Sequence, residues 1–230
     1  WLVWKNRAIS RRTHSAMALE KELSIRRGET FSLLLRWGTE QRIAKPITGI
    51  SLASGWPRLE VIGHGMPDGW DGAISRVIGM KQINSAEGKA YRCTRVDDDH
   101  IELNGVYPVD DAGKEWPAYV SGGFLDYATP VDMTGYTARM KMKTKEGGTL
   151  LASADIADAP LDIISITIDN AAKTILIEIA EPKTAAIAFK TAVTDLEMVG
   201  PTGRVKKIKL TSTGLKDDPD PVRVSGEVTT

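Results

Sequence analysis

Thr134-Gly135-Tyr136-Thr137-Ala138-Arg139-Met140-Lys141-Met142-Lys143, TGYTARMKMK, alternates strictly between two chemistries. Tyr136, Ala138, Met140 and Met142 fall on one parity, and Thr137, Arg139, Lys141 and Lys143 fall on the other. Successive side chains of an extended strand point to opposite faces, so this segment reads as a half-buried strand with one apolar and one cationic side. The same period of two recurs outward from it in both directions. Upstream, LSIRRGETFSLLLRW places Ile25, Phe31, Leu33 and Leu35 on one parity around an Arg27-Gly28 turn, which predicts a pair of strands. Downstream, Ile164, Ile166 and Ile168 precede Asp169-Asn170, and Ile175, Ile177 and Ile179 follow it, the pattern of two strands joined by a turn. Further strands are expected at Asp195–Val199, at Val205–Leu210 and from Arg223 onward. Proline at 182, followed by alanines, predicts a helix of one or two turns. With no sustained 3.6-residue period, the expectation is an all-β fold, an Ig-like antiparallel β-sandwich.

Residues 54–126 have a different texture. Gly55-Trp56-Pro57, Gly69-Trp70-Asp71 and Glu115-Trp116-Pro117 punctuate short strand candidates at Leu59–Ile62, Ala73–Val77 and Tyr91–Thr94. Short strands separated by Gly and Pro suggest a small β-barrel. The predicted organisation is a basic arm over 1–16, a sandwich built from 17–53 and 127–230, and an inserted barrel over 54–126. The arm carries Lys5, Arg7, Arg11 and Arg12 without an acidic residue, and Met17 reads like a natural start.

Composition limits the function classes. The 230 residues are 42% hydrophobic, with 30 Lys plus Arg against 30 Asp plus Glu, so no global field recruits nucleic acid or an anionic membrane. The single cysteine, Cys93, leaves no internal disulfide or multi-thiolate metal site, which fits folding in a reducing cytoplasm. No apolar run approaches the roughly 18 residues of a spanning helix, and WLVW is too short for a signal-peptide core.

TRVDDDHIELN (Thr94–Asn104) is the segment that most invites a chemical reading. Tyr91 and Cys93 precede the aspartates on one parity, and Ile101 and Leu103 follow on one parity. Asp97, Asp98 and Asp99 therefore read as a polar turn between two strands. Consecutive aspartates lack the spacing of a calcium loop, and His14, His64 and His100 are too dispersed for a zinc site. His64-Gly-Met-Pro-Asp68-Gly reads as a rigid turn, because no nucleophile with a recognisable base accompanies it. No phosphate-cradling motif occurs, and the cationic face of 137–145 lacks the interleaved aromatics of a nucleic-acid platform. No catalytic, cofactor-binding or metal-ligating residue is expected, and no cofactor. The candidate partner contacts are Arg7, Arg11 and Arg12 on the arm, and Trp56, Trp70 and Trp116 as exposed aromatic faces.

RRGETFSLLLRW (Arg26–Trp37), TPVDMTGYTARMKMK (Thr129–Lys143) and TDLEMVGPTGRVKKI (Thr194–Ile208), followed by a terminal SGEVT, resemble in order the motifs of phage virion proteins related to the amino-terminal domain of baseplate upper proteins. The similarity covers most of 23–53 and 127–230, and its strongest part is the D-x-TGYTARM strand. HGMPDGW, GMKQIN, YRCTRVDDDHIEL and NGV resemble the small FCCH-type barrel named from ubiquitin-activating enzymes and found in phage tail proteins. The TSTGLKDDPDP stretch departs from the usual pattern near the last strand. The resemblance implies a non-enzymatic virion structural protein of the tail, baseplate or collar that attaches neighbouring virion proteins such as fibres. Its expected partners are other virion proteins and copies of itself in a symmetric assembly, with no membrane and no nucleic acid. Its expected location is the virion, assembled in the host cytoplasm. The alternative is a receptor- or glycan-binding, or capsid-decorating, module.

Overall fold

The structure, a computed structural model, describes residues 23–52, 55–110, 112–208 and 220–225. The basic arm with Arg7, Arg11 and Arg12 lies outside the described residues. In chain order the strands begin with β1 (Leu23–Arg26), β2 (Phe31–Arg36), β3 (Gly38–Pro46), β4 (Gly49–Ser51) and β5 (Arg58–Glu60). They continue with β6 (Trp70–Ile78), β7 (Tyr91–Arg95), β8 (His100–Leu103), β9 (Ser121–Pro130), β10 (Thr137–Lys143) and β11 (Leu150–Ser153). β12 (Ser165–Asp169), β13 (Thr174–Ile179), the short helix α1 (Glu181–Ala185), β14 (Thr191–Val199), β15 (Val205–Ile208) and β16 (Asp220–Ser225) complete the series.

Two of the three sheets form the sandwich. One runs β1-β16-β14-β10-β11 with β15 added on β14, and the facing sheet runs β12-β13-β2. Met140 and Met142 of β10 and Leu196 and Met198 of β14 meet Ile175, Ile177 and Ile179 of β13 in one core, each at most 1% exposed. The parity of TGYTARMKMK is therefore realised as read, and the Ile-rich repeats pair as an antiparallel hairpin from Ser165↔Glu178 to Asp169↔Thr174. The helix at Pro182 is present as one short turn.

The Arg27-Gly28 turn differs from expectation. β1 and β2 do not pair with each other: β1 joins β16 in parallel, while β2 joins β13 in the opposite sheet. The turn is an arch between sheets. Both flanking stripes are apolar, so each satisfies the core from its own side, and the period-two pattern alone does not say whether two strands share a sheet.

The third sheet runs β3-β9-β6-β7-β8-β5-β4 and encloses a second core that includes Leu59, Trp70, Ile74, Cys93, Ile101 and Leu125. Its two ends belong to one continuous run, Gly38–Ser51. The first half of that run pairs with β9 and the second half with β5. At the bend the Ile47 amide donates to the Gly123 carbonyl (3.0 Å) and the Thr48 amide to the Glu60 carbonyl (2.9 Å), so the sheet curls back onto itself. Its strands span Gly38 to Pro130, beyond 54–126 at both ends, because a curled sheet needs the Gly38–Ser51 run to join its two edges.

Gly123 sits at this bend, where its carbonyl accepts the Ile47 amide. Its φ is 103°, and a Cβ there would stand 2.6 Å from Val77 Cγ2 and 3.2 Å from Ile47 Cδ1. Gly123→Ala is expected to lower stability by about 1–3 kcal/mol through backbone strain and crowding. Urea denaturation followed by circular dichroism measures this, and an unchanged midpoint would show that the curl does not require glycine.

Candidate functional site

The acidic turn is built first from its backbone. β7 ends at Arg95 and β8 begins at His100, with the Val96 amide donating to the His100 carbonyl at 3.0 Å. The Asp97 carboxylate accepts the Asp99 amide at 2.8 Å and lies 2.9 Å from His100 Nδ1. Asp98 pairs with Arg95, and Asp99 Oδ1 accepts the Gly63 amide at 2.7 Å. The Asp99 amide, then the His100 ring, hold the Asp97 carboxyl below the usual carboxylate range. Each carboxylate is thus spent on a different neighbour. Among the described residues no group of three His, Cys, Asp or Glu side chains converges as a metal site would require.

His64 explains why this turn is rigid. Its side chain is buried, Nδ1 accepts the Met66 amide at 2.9 Å, and Nε2 lies 2.9 Å from the Asp97 carbonyl. An Nδ1 that accepts must be unprotonated, so Nε2 carries the hydrogen and donates to Asp97. The Tyr127 hydroxyl donates to the His64 carbonyl from the barrel core. One imidazole therefore ties the HGMPDG loop to the aspartate turn, and a second proton would set an N–H against the Met66 amide. Asp68 closes the same corner by accepting the Arg95 amide at 2.9 Å. Cys93, buried in β7, has its thiol pushed up to about 12 by burial, so it stays protonated at neutral pH.

The tryptophans divide. Trp70 is 4% exposed and its Nε1 donates to the Ala128 carbonyl at 3.0 Å, so it anchors the barrel core and is corrected from an exposed contact to a buried one. Its inward parity on β6, shared with Ile74, is the reason. Trp56 and Trp116 are half-buried, and Trp116 packs against the edge of the barrel core.

The cationic face of β10 is also more than the sequence reading held. β14 lies beside it in a register that sets Arg139 opposite Glu197 and Lys141 opposite Asp195. Arg139 Nε reaches Glu197 at 2.5 Å, Lys141 reaches Asp158 at 2.7 Å, and Lys207 of β15 reaches Asp195 at 3.2 Å. These rows line an open groove of about 490 Å³. Charges of alternating sign across three strands neutralise one another, so this face is a solvated ion-pair ladder worth little per pair. The signal was available in the acids at 195 and 197, which alternate with apolar residues just as the cations do.

The PVDMTGY motif has a clear structural task. Asp132 accepts from Thr134 Oγ1 at 2.8 Å and from Asn170 Nδ2 at 2.9 Å, while Asn170 Oδ1 accepts the Met133 amide at 2.7 Å. Those bonds, the Thr134 hydroxyl first and Asn170 next, hold the Asp132 carboxyl at about 2. The loop before β10 is thereby clamped to the β12–β13 turn. No protein-family profile matches this chain, and no curated protein matches it.

Two outcomes are expected. A carboxyl held down in the folded state stabilises above its unfolded value, near 3.9, and that stabilisation is lost as pH falls toward about 2. The stability gap between the parent chain and Asp132→Ala should therefore narrow from pH 4 to pH 2 in denaturant titrations; a constant gap would remove the clamp's charge dependence. His64→Leu leaves the Met66 amide and Asp97 carbonyl without partners and should cost about 2–4 kcal/mol in the same assay.

Proposed function

We propose that this protein is a virion structural protein of a phage tail, baseplate or collar, joining neighbouring virion proteins such as fibres and working without catalysis or a cofactor. The observation that supports this reading is how the motif-bearing segments are used. Arg26–Trp37, Thr129–Lys143 and Thr194–Ile208 supply β2, β10, most of β14, and β15 of one sandwich, and the D-x-TGY residues clamp its loops. Segments far apart in sequence thus serve a single structural unit, as the resemblance to baseplate upper proteins implies. Between them the chain leaves for the curled barrel and returns beside its point of departure. A sandwich carrying such an inserted module suits a part that is repeated around a symmetry axis and contacts several neighbours at once. The partners in this reading are other virion proteins and further copies of the chain, and the location is the assembled particle.

Mass spectrometry of purified particles should recover peptides from both the sandwich and the barrel at constant stoichiometry to the tail proteins. Their complete absence from infectious particles, with the protein present in the infected cell, would overturn the reading.

A further inference from the structure

The barrel has two chemically different walls. On β7, β8 and β5 the outward side chains are polar and include two ion pairs: Arg58 contacts Glu102 at 2.6 Å, and Arg92 contacts Asp71 of the adjacent β6 at 3.0 Å. On β3, β9 and β6 the register brings a different set together. Past the Arg42–Asp126 ion pair, toward the end of the barrel away from Gly38 and Pro130, Pro46 lies opposite Phe124, and Phe124 opposite Ser75. Ile78 and Val120 continue the same end, with the Val120 amide donating to the Ile78 carbonyl at 2.9 Å. Phe124, Ile78 and Val120 are 39%, 52% and 69% exposed. Three large apolar side chains gathered on hydrogen-bonded neighbours differ from apolar residues scattered singly over a surface.

A charge stands in this patch. Arg76 has its guanidinium 5.9 Å from the Phe124 ring centroid, and among the described residues it makes no ion pair. Its backbone is left-handed, φ 60°, which is uncommon for a residue with a long side chain. Asp126, two residues along β9 from Phe124, is already taken by Arg42. A second copy of this patch would set cation against cation. We propose that the far end of the β3-β9-β6 wall is a docking surface for a different protein, one presenting an extended apolar segment with a carboxylate that pairs with Arg76. The apolar contact with Phe124, Ile78 and Val120 supplies affinity, and the Arg76 pair selects the partner. This inference rests on the barrel surface alone and stands apart from the virion reading.

The test uses the isotope-labelled full chain in solution, titrated with a short synthetic peptide of alternating leucine and serine bearing one central aspartate, and with the same peptide bearing lysine. The aspartate peptide should shift the amides of Ser75–Ile78 and Val120–Phe124. Its binding should weaken about tenfold in Phe124→Ser and in Arg76→Asn, the latter chosen because asparagine tolerates a left-handed backbone. Ile78→Ser, a change at an exposed position, gives the same readout should either of the others fail to fold. No shift at these amides, an equal response to the lysine peptide, or a response centred on β7, β8 and β5 would overturn the proposal. Shifts that appear with protein concentration alone would also overturn it, because the occupant would then be a second copy.

Discussion

The architecture depends on a single close approach of two chain segments. The chain leaves the sandwich at Trp37 and Gly38 and comes back at Pro130 and Val131, and the Val131 amide donates to the Trp37 carbonyl at 2.9 Å. Gly38 pairs with Pro130 in the first register of the barrel sheet, and a Cβ on Gly38 would stand 2.9 Å from the Ala128 Cβ. A domain can interrupt another without disturbing its core only when departure and return are adjacent, as they are here. Trp37 pins the crossing: it is 9% exposed, packs edge-on to Tyr136 with ring centroids 5.4 Å apart, and carries Lys206 over its face at 5.1 Å.

From that crossing the two cores follow with little freedom. Tyr136 begins the run that becomes β10, so the ring that steadies Trp37 also sets which parity of TGYTARMKMK faces inward. On the barrel side, Trp70 bonds to Ala128 close to the same crossing, and β6, β9 and β3 all start or finish there. The polar groups are mostly committed locally. Asp97, Asp99, Asp68, Asp132 and Asp155 each accept from amides or short side chains in their own or a neighbouring segment, and Asp98 accepts from Arg95. Such carboxylates stiffen turns, and stiff turns are what allow short strands to hold a curled sheet.

Much of the fold was legible because one-sided burial leaves a period-two trace. That trace is clear in 137–143 and in the isoleucines from 164 to 179, and both became strands with the apolar parity facing the core. It is equally clear at 23–35, yet the partner of β1 was hidden, since pairing with a strand near residue 222 leaves no local mark. The limits of the insert were hidden for a related reason. Thr39 to Arg42 are all exposed, so the first half of β3 shows no alternation, and only its pairing with β9 assigns it to the barrel. The interaction surfaces were less legible still. Tryptophan draws attention in a sequence, but Trp70 is a core anchor. Phe124 and Arg76 come together only through the register of β6 and β9.

Arg36 shows how the junction handles charge. It ends β2, and its Nε is buried without a hydrogen-bond partner. Burial, then the neighbouring Arg92, lower its hold on its proton, while Asp71 and Asp68 act the other way. Its guanidinium lies against Gly69, where any side chain would collide with it. A sandwich residue is thus packed into the barrel loop that contains Asp68, the same loop that His64 ties to the aspartate turn. The two carboxylates do not offset the burial and the second guanidinium, so Arg36 is held at this junction by packing rather than by an ion pair. The ends of β3, β9 and β6 away from Gly38 and Pro130 lie apart from this junction. Beyond the Arg42–Asp126 pair this wall exposes Phe124, Ile78 and Val120, and among the described residues Arg76 makes no ion pair there. The molecule therefore has one end where side chains of the two cores meet, at Trp37, Arg36 and Gly69, and another where Phe124, Ile78, Val120 and Arg76 face outward toward another protein.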